Sequence, residues 1–256
     1  VSAPVFVCPE ATGANTHDIL ILDGPEGHHA AQVQRLGIGE VIDLVDGRGI
    51  RASGLIVAAS IGRIEVRVDA ITRDVDCPLV LVQALAKGNR DESAIESATE
   101  LGVTRIIPWQ ASRSVVRWTG KKTGTGRDRW VAVVSSAAKV ARRALIPEVS
   151  ELVATPGLVA LVSEAASAGA LVLLLHEGSG EGITGRILQP GALGETWLIV
   201  GPEGGIAEEE VSALEDVGAL PTRLGPYILR SGTAGSAAIA AFSVLGGIWN
   251  SSRGKT

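Results

Sequence analysis

The 256-residue chain reads as an α/β protein in two parts, a small all-β barrel over residues 1–72 and an α/β domain with a mostly parallel sheet over 73–256. Three observations predict this. Short apolar runs separated by Gly, Pro and Asp turns crowd the first 72 residues, the pattern of a small barrel. From residue 79 onward, buried-type strands alternate with segments of helical period, which calls for a parallel sheet with crossover helices. A hydrophobic content of 46% with 20% charged residues supplies enough apolar material for one large or two smaller cores.

The predicted strands of the first part are Val5–Val7, Ile19–Leu22, Val41–Val45, 55–59 and 64–68. Turn signals at Asp23-Gly24-Pro25, Gly37-Ile38-Gly39 and Asp46-Gly47-Arg48-Gly49 separate them, and a short helix around 28–36 interrupts them. A buried-type strand at 79–86 then leads to a helix at 91–101. Asn89 and Glu92 suit a capping box at its start, and Gly102 suits a left-handed stop. A strand at 105–108 follows, then Gly120–Gly126 as a mobile basic loop. The next helix covers 128–143, with Trp130, Val133, Val134, Ala137 and Ala141 on one face. Strands at 170–175, Thr196–Val200 and 222–224 each run into a Gly-rich or polar loop: His176-Glu177-Gly178, Gly201-Pro202-Glu203-Gly204-Gly205, and Gly225-Pro226 onward. A helix at 207–217 has Glu208, Glu209 and Glu210 at its positive end. An Ala-rich helix closes the chain. In open α/β sheets, ligands bind beyond the carboxyl ends of strands, so these three loops are the candidate site.

Several classes are excluded by what is missing. Five Trp, two Phe and one Tyr are too few for a protein that binds mainly by stacking bases on aromatic platforms. Two cysteines, Cys8 and Cys77, cannot staple a secreted scaffold, and a reducing, cytoplasmic location is expected. The opening residues VSAPVFVCPE have neither a positive n-region nor a long apolar core, so no targeting segment is expected. The apolar stretch 233–249 is short for a bilayer span of roughly 20 residues, so no membrane association is expected. Read from Gly178, the segment Gly178-Ser179-Gly180-Glu181-Gly182 does not continue as a dinucleotide fingerprint, since Ile183 stands where that register needs the third Gly. Gly120-Lys121-Lys122-Thr123 and Gly254-Lys255-Thr256 fail as phosphate loops, with Val115 and Trp249 in the required first Gly position. The four His (His17, His28, His29, His176) and two Cys lack zinc spacing, so no metal is expected.

The net charge of −5 conceals a strong asymmetry. Residues 105–143 hold ten basic side chains (Arg105, Arg113, Arg117, Lys121, Lys122, Arg127, Arg129, Lys139, Arg142, Arg143) against Asp128 alone. That segment is +9 and the remainder −14, more than helix-end complementation needs, and it points to a polyanion partner.

At this point the chain resembles a known family. It is similar to the ribosomal RNA small-subunit methyltransferase E family of the knotted SPOUT methyltransferases, and the likeness covers nearly the whole chain. The first part carries His28-His29 with Val33 and Arg35, Gly39-Glu40 and Asp46-Gly47. The second carries Lys87-Gly88-Asn89-Arg90, Ala98 to Val103, Arg105-Ile106-Ile107-Pro108, Ser112-Arg113-Ser114-Val115, Arg129-Trp130 and Arg143 to Pro147. The most specific matches are Gly201-Pro202-Glu203-Gly204-Gly205 and Leu224-Gly225-Pro226-Tyr227-Ile228-Leu229-Arg230. The resemblance implies an N-terminal PUA-like β-barrel, a C-terminal SPOUT α/β domain with a trefoil knot, a homodimer, and methyl transfer from S-adenosylmethionine to N3 of a uridine in 16S rRNA of the 30S subunit.

It also implies a division of labour. Leu175, His176, Glu177, Val200, Gly201, Pro202, Gly205, Leu224, Gly225, Tyr227, Ile228 and Leu229 would hold the cofactor, with apolar walls such as Leu224, Ile228 and Leu229 around adenine. Arg230 would stabilise charge on the uracil oxygens or instead pair with a carboxylate such as Glu203, and Glu203 would alternatively orient the base. His29, Arg35, Arg113, Arg117, Lys121, Lys122, Arg127, Arg129, Arg142 and Arg143 would contact RNA. Small residues from Ala234 to Ala241 would serve a dimer interface or packing within the chain. The chain departs from the family pattern in three places. Ser231-Gly232-Thr233-Ala234 lacks a Glu that members often carry, Tyr227 stands where Arg is usual, and Val140-Ala141-Arg142-Arg143 replaces a Gln-Ser-Gly-Arg pattern. The alternatives are a SPOUT enzyme acting on another RNA, a non-catalytic RNA-binding assembly protein, and a small-molecule enzyme with a nucleotide cofactor.

Overall fold

The computed structural model describes residues 3–187 and 194–250, leaving out the side chain of Asn250. The segment Gly254-Lys255-Thr256 lies outside the described residues. Two units are distinguished. Among the described residues, the first comprises 3–75 with Ala138–Ile146, and the second Asp76–Ala137 with 147–250.

The first unit is built on β1 (Val5–Val7), β2 (Ile19–Leu22), α1 (Gly24–His28), β3 (Val41–Val45), β4 (Ile50–Ser60) and β5 (Arg63–Arg73). The strands pair in the order β1-β3-β4-β5-β2, parallel between β1 and β3 and antiparallel elsewhere. Alternating residues turn inward: Phe6, Leu20, Leu22, Ile42, Leu44, Ala52, Ile56, Ile64, Val66 and Val68 form one core. Cys8, just past β1, reaches the carbonyl of Ile21 in β2 at 4.0 Å, which brings the two edge strands toward each other. β4 and β5 form a hairpin of two 11-residue strands, longer than the periodicity predicts. Register shifts at Ser53/Gly54 and Ile56/Ala58 explain the shortfall, since a bulge breaks strict alternation. The helical stretch begins at Gly24 and continues through one π turn at His29–Val33, earlier than the expected 28. The predicted turn at Asp46 is confirmed: its Oδ1 accepts the amides of Arg48 (2.7 Å) and Ile50 (2.9 Å). Arg51 bridges Asp43 and Asp74 at 2.8 and 2.7 Å and donates to the Arg142 carbonyl.

The second unit holds β6 (Leu79–Ala84), α2 (Arg90–Glu100), β7 (Arg105–Gln110), α3 (Lys121–Val140), β8 (Glu148–Val149), β9 (Val153–Ala154), α4 (Thr155–Ser167), β10 (Leu171–Leu175), α5 (Ile183–Ile187), β11 (Thr196–Val200), α6 (Glu208–Glu215), β12 (Leu220–Thr222) and α7 (Ser231–Leu245). The last residues of α3 are grouped with the first unit. The sheet order is β12-β10-β11-β6-β7-β8, with β9 also on β7, and every pair is parallel. Both faces of the central strand are covered, so β6 is buried at every residue, as a parallel strand between two helical layers must be. Val80, Val82 and Ala84 join Leu158, Val162 and Leu214 of α4 and α6 in one core. On the other face, Leu81 meets α7 at Gly235, and α7 packs on α2. Gly235 and Ala238 of the small-residue stretch are therefore occupied in packing within the chain.

Three expectations fail here. Asn89 does not cap α2: it sits in the left-handed region (φ 59°), where its side chain makes no cap bond. The Asp91 carboxylate instead accepts the amides of Ala86 and Glu92. Gly102, by contrast, does supply the left-handed stop (φ 108°). The basic stretch Gly120–Gly126 is no loop, because the helix starts at Lys121 rather than 128. Gly126 lies one turn before Trp130, and a Cβ there would come within 2.5 Å of the Trp118 ring, which stacks edge-on against Trp130. Aromatic packing thus decides for helix where glycine content alone reads as loop. Finally, α4 was not foreseen, although Pro156 at its first turn and Leu158, Val162 and Ala165 on one face mark it.

Candidate active site

The loops that leave β10, β11 and β12 emerge together, because β10 lies between the other two in the sheet. Leu175 ends β10; His176 donates its amide to the Thr222 carbonyl (3.0 Å), and Ser179 donates to Pro221 (2.9 Å), fastening this loop to β12. Val200 ends β11 fully within the sheet, paired with Gln83 of β6. The turn Gly201-Pro202-Glu203-Gly204-Gly205 follows, closed by a Gly205 amide to Pro202 carbonyl bond of 3.0 Å. Gly205 has φ +71°, a conformation an L side chain rarely adopts.

Beyond β12, residues 224–229 make no hydrogen bond with any other described residue. Their backbone donors and acceptors stand beside Tyr227 (81% exposed), Ile228 (80%) and Leu229 (39%), with Leu224 and Gly225 half-buried. A chain segment with free peptide groups and exposed apolar side chains suits a ligand that is flat, apolar on its faces and polar at its edge, as a purine is. Arg230 follows as the residue before α7. Its carbonyl accepts the amides of Thr233 (2.8 Å) and Ala234 (2.9 Å), while its exposed side chain makes no hydrogen bond or ion pair with other described residues.

Glu203 is not the partner of Arg230. Its Oε1 accepts the Lys87 amide (3.0 Å) and Arg90 Nη1 (3.1 Å), so the carboxylate ties the β11–α6 turn to the β6–α2 loop. Partial burial pushes this carboxyl up, but its own amide, the Lys87 amide and the Arg90 guanidinium outweigh that and hold it below the usual carboxylate range. Gly232, which stands where family members often carry Glu, lies against the Arg90 backbone, with a Cβ position 3.1 Å from its carbonyl oxygen. Ser231 is buried and accepts Gln83 Nε2 at 3.1 Å.

The basic segment divides on inspection. Arg105 pairs with Glu195 and lies over Trp197, Arg127 pairs with Glu151, Arg129 with Glu92, and Lys139 with Glu26. Arg142 and Arg143 belong to the first unit, and Arg143 is 7% exposed, so it is no surface cation. Within residues 105–143, the exposed cations without a carboxylate partner among the described residues are Arg113, Arg117, Lys121 and Lys122, all between β7 and the first turn of α3. Arg113 Nη1 donates to the Gly204 carbonyl (3.3 Å), which brings a residue expected on the RNA side onto the Gly-rich turn. In the first unit, His29 and Arg35 are both exposed; His28 and His29 lie in a helical turn, so the opposite-face limit of a strand does not apply to them.

Sequence reasoning missed Glu210. It was read as favouring a helix N-terminus, yet it is 6% exposed and accepts four donors: the Ser112 amide (2.9 Å), the Ser112 hydroxyl (2.8 Å), the Thr155 hydroxyl and the Ala207 amide (3.2 Å). Burial raises its carboxyl, but the Thr155, Ser112 and Ala207 donors more than offset this and keep it below the usual range. The third position of the Glu208-Glu209-Glu210 run was the only available signal.

No helix among the described residues is long and apolar enough to cross a membrane, and no group of three potential metal ligands occurs among them.

Two family models match, an RNA methyltransferase PUA domain over residues 22–69 and an RNA methyltransferase domain over 73–243. The chain is 44% identical over 244 residues to the ribosomal RNA small subunit methyltransferase E of Mycobacterium bovis, covering 93% of this chain and 91% of the relative. It is 31% identical over 226 residues to the Bacillus subtilis protein of that name, covering 87% and 88%. Among solved structures it resembles the Neisseria gonorrhoeae ribosomal RNA small subunit methyltransferase E bound to S-adenosyl methionine, with TM-score 0.83, 26% identity and coverage of 95% and 98%. A Legionella pneumophila structure in complex with the cofactor SAM matches with TM-score 0.80, 27% identity and the same coverage. The chain belongs to the RNA methyltransferase family, and within it to the ribosomal RNA small subunit methyltransferase E proteins.

Proposed function

We propose that this protein methylates N3 of one uridine in 16S rRNA, presented in the 30S subunit, with S-adenosylmethionine as methyl donor. The observation that carries the reading is the stretch 224–229, with free peptide groups and exposed apolar side chains beside the Gly205 turn, in a member of an RNA methyltransferase family. The residues present fit the cofactor. Leu224, Ile228, Leu229 and Tyr227 offer apolar surface for adenine, and the backbone of 224–229 offers donors and acceptors for its edge. The turns Leu175–Glu177 and Val200–Gly205 would enclose the rest. When bound, S-adenosylmethionine supplies an electrophilic methyl group.

The chain's own part is positioning and electrostatics. Uracil N3 carries a proton at neutral pH and lies on the pairing edge, so the base is unpaired or flipped before it reacts. Loss of the N3 proton to solvent leaves an anion whose charge is spread over N3, O2 and O4; its N3 lone pair would then form the new N–C bond as the donor's methyl–sulfur bond breaks, leaving a neutral thioether and a neutral methylated base. Arg230, whose exposed side chain has no partner among the described residues, is the cation for that charge. Glu203 acts on the site indirectly, by fixing the turn that carries it. Residues 1–72 act as an RNA-binding PUA-like barrel, with His29 and Arg35 on its surface, and residues 73–256 as the methyltransferase domain. Arg113, Arg117, Lys121 and Lys122 bind phosphates, supplemented by Arg127, Arg129 and Arg142 where RNA displaces their present partners.

The insertion of β11 between β10 and β6, with α7 packed on β6, β11 and α2, supports the trefoil knot that the family resemblance implies. The working form is a cytoplasmic homodimer. Incubation with methyl-labelled cofactor and 30S subunits, free rRNA or transfer RNA, followed by mapping of the modified base, tests the reading.

A further inference from the structure

We infer that Glu210 is a positioning residue that couples cofactor binding to RNA binding. The inference rests on the methyltransferase reading above and concerns a contact that the transfer chemistry does not use.

Glu210 sits at the start of α6, where the Gly-rich turn ends, and holds that turn through the Ala207 amide. Its other contacts lead away from the turn. Ser112, at the start of the basic segment, gives it both a backbone amide and a hydroxyl, one to each carboxylate oxygen. The Ser112 carbonyl in turn accepts Arg117 Nη2 at 3.0 Å. Arg113, the next residue, closes the loop by donating to Gly204. The turn 201–207 and the segment 112–117 are thus joined at two points, one through a buried carboxylate and one through a guanidinium. Thr155 attaches the same carboxylate to the start of α4, outside the segment 112–117.

This arrangement has a thermodynamic consequence. A ligand that orders the turn 201–205 fixes the Gly204 carbonyl and the Ser112 anchor, and so pre-orders Arg113 and Arg117. Phosphates that bind those two side chains then meet groups whose freedom is already restricted, and the cost of immobilising them is lower. By linkage, RNA strengthens cofactor binding by the same factor.

The test measures affinity for 30S subunits with and without saturating S-adenosylhomocysteine, which fills the cofactor site without turnover. The wild type should bind about fivefold or more tightly with it. Ser112→Ala and Glu210→Gln should each reduce that factor by about twofold or more, while Thr155→Val, which removes a Glu210 donor outside the segment 112–117, should keep it. Ser112→Ala carries the test if Glu210→Gln does not fold. Full coupling in folded Ser112→Ala, equal loss in Thr155→Val, or no coupling in the wild type would each overturn the inference. Methyl transfer by the same wild-type preparation is scored in parallel: transfer without coupling sinks the coupling alone, and absence of transfer sinks the function it rests on.

Discussion

Replacing Gly205 by valine isolates the contribution of one backbone conformation to the cofactor site. Gly205 has φ +71°, and a Cβ there meets nothing closer than Arg113 Nη1 at 3.9 Å, so the cost is conformational rather than steric. An L residue in the left-handed region loses about 1–2 kcal/mol, and a β-branched one sits at or above the upper end. Where the free variant relaxes the turn, the Gly204 carbonyl swings away from Arg113, and binding must reimpose the strained conformation; that penalty then passes to cofactor affinity as roughly a 5- to 30-fold weakening by titration calorimetry, at about 1.4 kcal/mol per decade. The control is Gly169→Val, with φ +90° and nothing within 4 Å, between α4 and β10 and away from the site. Both variants should melt about 2–8 °C lower, but only Gly205→Val should lose cofactor affinity. Wild-type affinity in a folded Gly205→Val protein would refute the reasoning.

Three further outcomes are expected. Asp74→Asn leaves the Arg51 guanidinium, whose side chain is 10% exposed, with Asp43 as its remaining ion-pair partner; the variant should unfold about 1.5–3 kcal/mol more easily in urea, because charge-assisted hydrogen bonds at a buried guanidinium are weakened. Lys121→Ala with Lys122→Ala should leave cofactor affinity unchanged and reduce the slope of log affinity for RNA against log salt by about 1.5, as two lost phosphate contacts require. Glu203 and Glu210 are both held below the ordinary carboxyl value of 4.5, so their stabilising contribution is complete above about pH 4.5 and is lost as pH falls through their depressed folded-state values. Glu210→Gln should therefore be less stable than wild type at pH 7, with the gap closing toward pH 3 in thermal melts.

What the sequence made legible, and what it hid, follows from the range of the interactions. The strands at 170–175 and Thr196–Val200 and the loops behind them are local patterns, and the structure has them close to where periodicity put them. Gly102 and the Asp46 turn are equally local. By contrast, the glycines of the 120–126 segment were read as loop because their partner, Trp118, is a tertiary contact. Asn89 failed as a cap because Gly88 and Asn89 both take positive φ, a choice imposed by how the β6–α2 loop meets Glu203 more than a hundred residues later. The same distance hid the true partner of Glu203 and the role of Glu210. The charge asymmetry of residues 105–143 was visible, but not that carboxylates from elsewhere neutralise Arg105, Arg127, Arg129 and Lys139, narrowing the exposed cationic patch to four side chains. The return of residues 138–146 to the first unit interrupts a continuous helical pattern and has no linear signature.

The central claim is most directly tested by transfer of labelled methyl from S-adenosylmethionine to 30S subunits, with the product located by nucleoside analysis and primer extension. The account predicts a single label on N3 of one uridine in 16S rRNA, reduced by Gly205→Val when the cofactor is limiting and strongly reduced by Arg230→Ala. Label on a ribose 2′-hydroxyl or on transfer RNA, or no transfer to any RNA by protein shown to bind the cofactor, would contradict it.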